Sequence, residues 1–228
     1  MPPATPSCPD RHEQVKHAAR SHFDRWADSY DRSRLSELVF FPSIRACWEE
    51  LTHWQGRRGG GPYQLLDVGC GTGNLLISLL DDPQAQRLIG LDYSEEMVSR
   101  LQRKIAAGGS PDRLHVLHGD AEHLPFDDAS LDVLTCCNSF HHYPHQAAVV
   151  REFRRVLRPG GLLILIDGFR DNVIGWVIFD VAVTMVEGMV HHASWSEVRA
   201  MLEQAGFNGI QQRKVNVLAP LLVSVATC

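Results

Sequence analysis

The stretch Leu65-Leu-Asp-Val-Gly-Cys-Gly-Thr-Gly-Asn-Leu75 sets three glycines into five positions directly after an apolar run that ends on a carboxylate. Apolar runs before and after it alternate with helical patterns. The strands expected are Gln64–Val68, Arg87–Leu91, Leu114–His118, Leu131–Cys137 and Leu162–Asp167; the helices between them are Gly73–Leu80, Ser94–Ala107 and Gln146–Leu157. That rhythm means right-handed βαβ units and a doubly wound, mostly parallel sheet covered on both faces. The segments Gly209–Val217 and Leu221–Thr227, separated only by a short turn, predict an antiparallel hairpin at the sheet edge after a helix over Ser196–Ala205. The fold class is α/β, with seven strands.

In such a sheet the first strand-to-helix turn lies at the carboxyl edge, where ligands bind, and Gly69, Gly71 and Gly73 occupy it. Glycine there permits positive φ and lets a ligand approach the main chain. The spacing is G-x-G-x-G, not the G-x-G-x-x-G of a dinucleotide fingerprint, and no Lys or Arg lies between Asp67 and Asp81 to meet a phosphate. An acid beside the loop suits a cationic ligand. The next strand ends on Asp92, 19 residues beyond Gly73, where a carboxylate can accept from both hydroxyls of a ribose. Asp120, Ala121 and Glu122 follow the third strand, placed to receive the edge of a base, with Met97 as an apolar cover for its ring.

Together, Asp67-x-Gly69-x-Gly71-x-Gly73, Asp92, the Gly119–Phe126 segment, Ser130-Leu131-Asp132 and Arg158-Pro159-Gly160-Gly161 resemble the class I S-adenosylmethionine-dependent methyltransferases. The likeness is greatest to the branch that contains the ubiquinone and menaquinone C-methyltransferases and many small-molecule methyltransferases. It runs from about Phe23 to the C-terminus. The resemblance implies S-adenosylmethionine as cofactor and S-adenosylhomocysteine as product. It assigns the amino-acid end to Asp67, Gly69, Cys70, Gly71, Thr72 and Gly73, the ribose to Asp92 with Tyr93 beside it, and the base to Asp120, Ala121 and Glu122. Asn138 and Ser139 are similar to further cofactor-contacting positions, and Tyr30 to the residue of an N-terminal lid. The implied division is a disordered start (1–12), a helical lid (13–58), a cofactor-binding core (62–168), an acceptor-side insertion (169–195) and a C-terminal helix and hairpin (196–228).

Methyl transfer from a sulfonium needs alignment and a dry site more than a particular catalytic group. Where the acceptor carries a proton, a base helps. His141 is the first choice for it, in the segment Asn138–Pro144 after the fourth strand, with His142 on the acceptor side. Trp176, Phe179, Met189 and His191 in the insertion suit an apolar acceptor pocket. Alternatives left open are a nicotinamide-dependent oxidoreductase and a relative that binds the cofactor without turnover.

Composition narrows the partners. Net charge is −5, with 22 basic and 27 acidic residues mixed along the chain, which leaves no basic stripe for nucleic acid. The six cysteines include no C-x-x-C pair, and the twelve histidines fall into no H-E-x-x-H motif, so neither a disulfide framework nor a metal site is expected. Cys136 and Cys137, neighbours on one strand, point to opposite faces. A cytoplasmic setting without a membrane span, and a small-molecule acceptor as partner, complete the expectations.

Overall fold

The computed structural model describes residues 40–108, 112–169, 171, 191–215 and 220–228. Its elements are α1 (Phe41–Arg58), β1 (Tyr63–Val68), α2 (Asn74–Ser78) with a 3-10 turn at Leu79–Asp81, β2 (Ala85–Asp92), α3 (Glu95–Gly108) and β3 (Leu114–His118). Then come β4 (Leu131–Cys137), a 3-10 turn at Phe140–His142, α4 (Gln146–Val156), β5 (Leu157–Gly168), α5 (Trp195–Gln204), β6 (Asn208–Val215) and β7 (Leu221–Thr227). The seven strands form one sheet in the order β3-β2-β1-β4-β5-β7-β6. Strands β1 to β5 pair in parallel, and β7 runs antiparallel to both β5 and β6.

The sheet is apolar on both faces because the strand residues alternate between two cores. Leu66, Val68, Leu134, Leu163 and Leu165 pack toward α4 and α5, beside Phe153, Leu202 and Phe207. Leu65, Leu88, Val133, Ile164 and Ile166 pack on the other face, beside Leu51 and Trp54 of α1, Leu76 of α2 and Leu101 of α3. Helix α1 is stopped by left-handed Gly59 (φ 78°), and Arg58 sits over the Trp54 ring. It is tied down by Trp54 Nε1, which donates to the Gly160 carbonyl (3.2 Å), and by Arg213 of β6, which pairs with Glu49 and Glu50.

Most differences from the sequence reading lie at element ends. The second apolar run, expected over Arg87–Leu91, extends at both ends. Arg158–Gly161, between the expected helix and the strand expected from Leu162, belongs to β5: left-handed Gly160 (φ 76°) donates to the Cys228 carbonyl, so the chain bulges without leaving the sheet. The helix after the glycine loop is shorter than Gly73–Leu80, because it passes into the 3-10 turn at Leu79.

Candidate functional site

Strand order reverses between β1 and β4, and the helices that follow them pack on opposite faces of the sheet, which leaves at the strands' carboxyl ends the crevice that this topology reserves for ligands. A cavity lies there. Asp67, Gly69, Cys70, Gly71 and Thr72 form its floor; Asp92, Tyr93, Met97, Asp120 and Ala121 wall it on the β2 and β3 side. Cys137, Asn138, Ser139, His142, Tyr143 and Pro144 close it from β4, and Phe40, Ser43 and Ile44 reach in from the start of α1. The charged groups among the described lining residues are three carboxylates, with no Lys or Arg.

The glycines of the loop serve different neighbours. A Cβ on Gly69 (φ 71°) would stand 2.4 Å from Ser139 Oγ and 2.8 Å from the Tyr143 hydroxyl, and one on Gly73 would meet Leu101. Those two glycines make room for the protein itself. A Cβ on Gly71 (φ 53°) would meet nothing within 4 Å, and Gly71 lines the cavity, so this is where main chain is laid bare to a ligand. Gly73, expected among the cofactor contacts, instead precedes α2 as its N-cap and is not part of the lining.

Asp92 fixes this loop. Its carboxylate accepts from Gly71 N (2.7 Å) and Ser94 N (2.9 Å), so it shapes the loop as well as facing the cavity. Burial pushes its carboxyl up, and the bonds from Ser94 and Gly71 act against that push. Asp67 is only 4% exposed and pairs in register with Thr135 of β4, whose hydroxyl donates to Oδ1 at 2.7 Å. Burial, abetted by the charge of Asp92 and opposed by the Thr135 bond, pushes the Asp67 carboxyl up to about 7. Two neighbouring carboxylates with no basic partner among the described lining residues fit a cationic, phosphate-free ligand such as S-adenosylmethionine and repel a pyrophosphate.

On the β4 side, Asn138 takes a left-handed backbone (φ 56°) and its amide donates to Ser43 Oγ (2.9 Å), joining α1 to the end of β4. Ser139 donates to the Val68 carbonyl (3.1 Å) and accepts from the Tyr143 hydroxyl (3.3 Å). Cys137 Sγ lies 3.3 Å from Cys47 Sγ of α1, a proximity with no signal in the sequence, since the two are 90 residues apart.

The histidine pair divides differently from the sequence reading. His142 lines the cavity; His141, expected as the base, stands behind the wall, 8% exposed and absent from the lining. Its Nδ1 lies 2.6 Å from Asp167 Oδ1, and its backbone N–H donates to Asp167 Oδ2 at 2.8 Å. Asp167 also accepts from Gly168 N. Burial alone would raise the Asp167 carboxyl, but the charge and hydrogen bond of His141, with His192 nearby, hold it below the usual carboxylate range. His192 stacks on His141, ring centroids 4.3 Å apart. The three side chains hold donor atoms within 4.8 Å of one another. The 2.6 Å separation of Nδ1 and Oδ1 is that of a charge-assisted hydrogen bond. Two ligands at about 2.0–2.1 Å from one tetrahedral zinc would stand about 3.3 Å apart.

Two further expectations change. Glu122 does not line the cavity; its backbone N–H donates to Asp120 Oδ1, which shapes the turn beneath Ala121. His191 is exposed and away from the lining, its carbonyl accepting from Gln146 and its N–H donating to the His141 carbonyl. Tyr30, Trp176, Phe179 and Met189 lie outside the described residues.

The strand order and the acidic cavity at the switch point fit the S-adenosylmethionine-dependent methyltransferases, and the chain's relatives show it to be an enzyme of that class. Residues 65–161 match the model of a methyltransferase-domain family. The chain is 28% identical over 221 residues to the demethylmenaquinone methyltransferase of Lactiplantibacillus plantarum, covering 88% of this chain and 92% of that one. It is 33% identical over 156 residues to the enzyme of the same name from Listeria monocytogenes, covering 68% and 63%. Its fold is shared with a SAM-dependent methyltransferase from Aquifex aeolicus, at a TM-score of 0.66 and 23% identity over 89% of this chain and 97% of that one. No described helix is long and apolar enough to cross a membrane.

Proposed function

We propose that this methyltransferase acts on a small aromatic acceptor of the hydroquinone or phenol type. In this reading the cofactor lies across Gly69, Cys70, Gly71 and Thr72 with its cationic end toward Asp67, its ribose at Asp92 beside Tyr93, and its base between Met97, Asp120 and Ala121. Bound S-adenosylmethionine supplies a methyl group activated on a cationic sulfur. The chain's own residues align and shield. Asp67 offsets positive charge where water is excluded, and Asn138 with Ser43 ties α1 over the β4 side of the crevice.

The observation that carries the reading is the division of the cavity wall. Its β1 to β3 side is acidic, whereas Phe40, Ile44, Tyr143 and Pro144 make the opposite side largely apolar, as the pocket of an aromatic acceptor requires. The names of the curated relatives point to the same acceptor chemistry. The test uses labelled S-adenosylmethionine with a reduced, short-chain 1,4-naphthoquinol that lacks the ring methyl group. Transfer of label to the quinol ring or its oxygen supports the proposal. Tight S-adenosylhomocysteine binding without transfer to any of a set of quinols and phenols would refute the acceptor class.

A further inference from the structure

The Asp167–His141–His192 cluster lies outside the cavity lining, behind His142, the one imidazole among the described lining residues. The His141 side chain meets Asp167 at its Nδ1 and lies against the rings of His192 and His142, the His141 and His142 centroids being 4.0 Å apart. The cluster is rigidly placed. Gln146 Nε2 bridges the carbonyls of Phe140 and His191, and His191 N–H donates to the His141 carbonyl, so the 3-10 turn carrying His141 and His142 is clamped to the segment carrying His192.

We propose that His142 is the base that takes the acceptor's proton, kept neutral and aimed by the buried His141–Asp167 pair. The inference rests on the methyltransferase reading of the cavity and deepens it. The other described titratable groups on the β4 side of the lining are unsuited. A hydrogen bond to Cys47 and burial push the Cys137 thiol up, and burial does the same to the Tyr143 phenol, which donates to Ser139. Asp67 lies at the cofactor end, on the strand beneath the glycine loop.

The electrostatics follow from the neighbours. An ionised Asp167 only accepts, so the proton between it and His141 sits on Nδ1, and the pair favours a positive His141 ring. A positive ring 4.0 Å from His142 opposes a second positive charge there. On the cavity side Asp67, Asp92 and Asp120 act in the opposite sense, but a bound cation offsets them. In the loaded site the charge that the described neighbours leave at His142 is therefore that of the His141 ring. In the step itself, the acceptor atom bonds to the methyl carbon as the carbon–sulfur bond breaks, with its electron pair left on sulfur. The acceptor's proton passes to an imidazole nitrogen of His142, and the resulting imidazolium releases it to water, which reaches this half-buried side chain.

The test is NMR titration of histidine-labelled protein saturated with S-adenosylmethionine in the absence of acceptor, with the His142 signal identified by its loss in His142→Gln. The His142 ring titrates below the ordinary value of about 6.5 and moves upward in Asp167→Asn. With the naphthoquinol probe, His142→Gln lowers kcat by about 10²–10⁴ and flattens the acid limb of its pH profile, while S-adenosylhomocysteine still binds. The proposal is overturned if the His142 ring charges at or above the ordinary value, or if His142→Gln retains turnover and its pH profile. It is also overturned if a chelator abolishes activity and zinc restores it, since the cluster would then be an ion site. Should Asp167→Asn not fold, the wild-type titration and His142→Gln still decide. Absence of S-adenosylhomocysteine binding would instead sink the cofactor reading, and absence of probe methylation the acceptor reading; the NMR titration remains decisive in the latter case.

Discussion

Replacing Asp67 by Asn probes the electrostatics of the cavity floor most directly. The native carboxyl is raised to about 7, first by burial and then by the Asp92 charge. A cationic ligand favours its ionised form, so binding below that value must expel a proton. With a free-state value of about 7, apparent affinity for S-adenosylmethionine falls about tenfold from pH 8 to pH 6 and levels off above pH 8. Calorimetry in buffers of different ionisation enthalpy reads the released proton, about half of one at pH 7. Asp67→Asn abolishes both the slope and the release. The sign for stability is opposite. The folded-state value lies above the unfolded one, so the ligand-free protein binds more protons than the unfolded chain between about pH 4 and 7 and loses stability as pH rises through that window. A shift from 3.8 to about 7 corresponds to about 4 kcal/mol. Asn can still accept from Thr135, so ligand-free Asp67→Asn should melt higher than wild type at pH 8. Affinity independent of pH between 6 and 8 in the wild type would refute the reasoning.

The loop glycines separate stability from binding. Gly69→Ala forces a Cβ against Ser139 at a left-handed backbone and should cost about 2–4 kcal/mol by denaturant titration, whereas Gly71→Ala should cost about 1 kcal/mol yet weaken S-adenosylhomocysteine binding at least tenfold. Asp92→Ala leaves the N–H groups of Gly71 and Ser94 without a charged acceptor, so both affinity (tenfold or more) and melting temperature should drop; loss of neither would contradict the part given to this carboxylate. Ser194 caps α5, with Glu197 returning the bond to the Ser194 N–H, and Ser194→Ala should lower stability by about 1 kcal/mol without changing cofactor affinity.

The sheet was readable because each strand's apolar run is bounded by turn residues and each helix carries its own period. The carboxylates of the cavity were readable for a related reason: strand ends such as Asp67 and Asp92 fall at one edge of a parallel sheet whatever their side chains do. What sequence could not reveal depended on contacts between distant segments. Which histidine of a pair faces inward is set by the 3-10 turn at Phe140–His142 and by Asp167, 26 residues away. Gly69 lines the cavity as its motif suggests, but its missing Cβ makes room for Ser139 and Tyr143, which no local pattern announces. Glu122 looks equivalent to Asp120 in sequence, but Asp120 Oδ1 turns back to the Glu122 N–H and the chain carries Glu122 away from the crevice.

The placement of β7 between β5 and β6 has a consequence for synthesis. When β6 leaves the ribosome it has no neighbour to pair with, because the strand that joins it to β5 is encoded after it. Every strand that contributes to the cavity precedes both, so the crevice can form while that border of the sheet is still open and adhesive to other chains. Ligand present during translation would then stabilise a nascent intermediate before the final antiparallel insertion seals it.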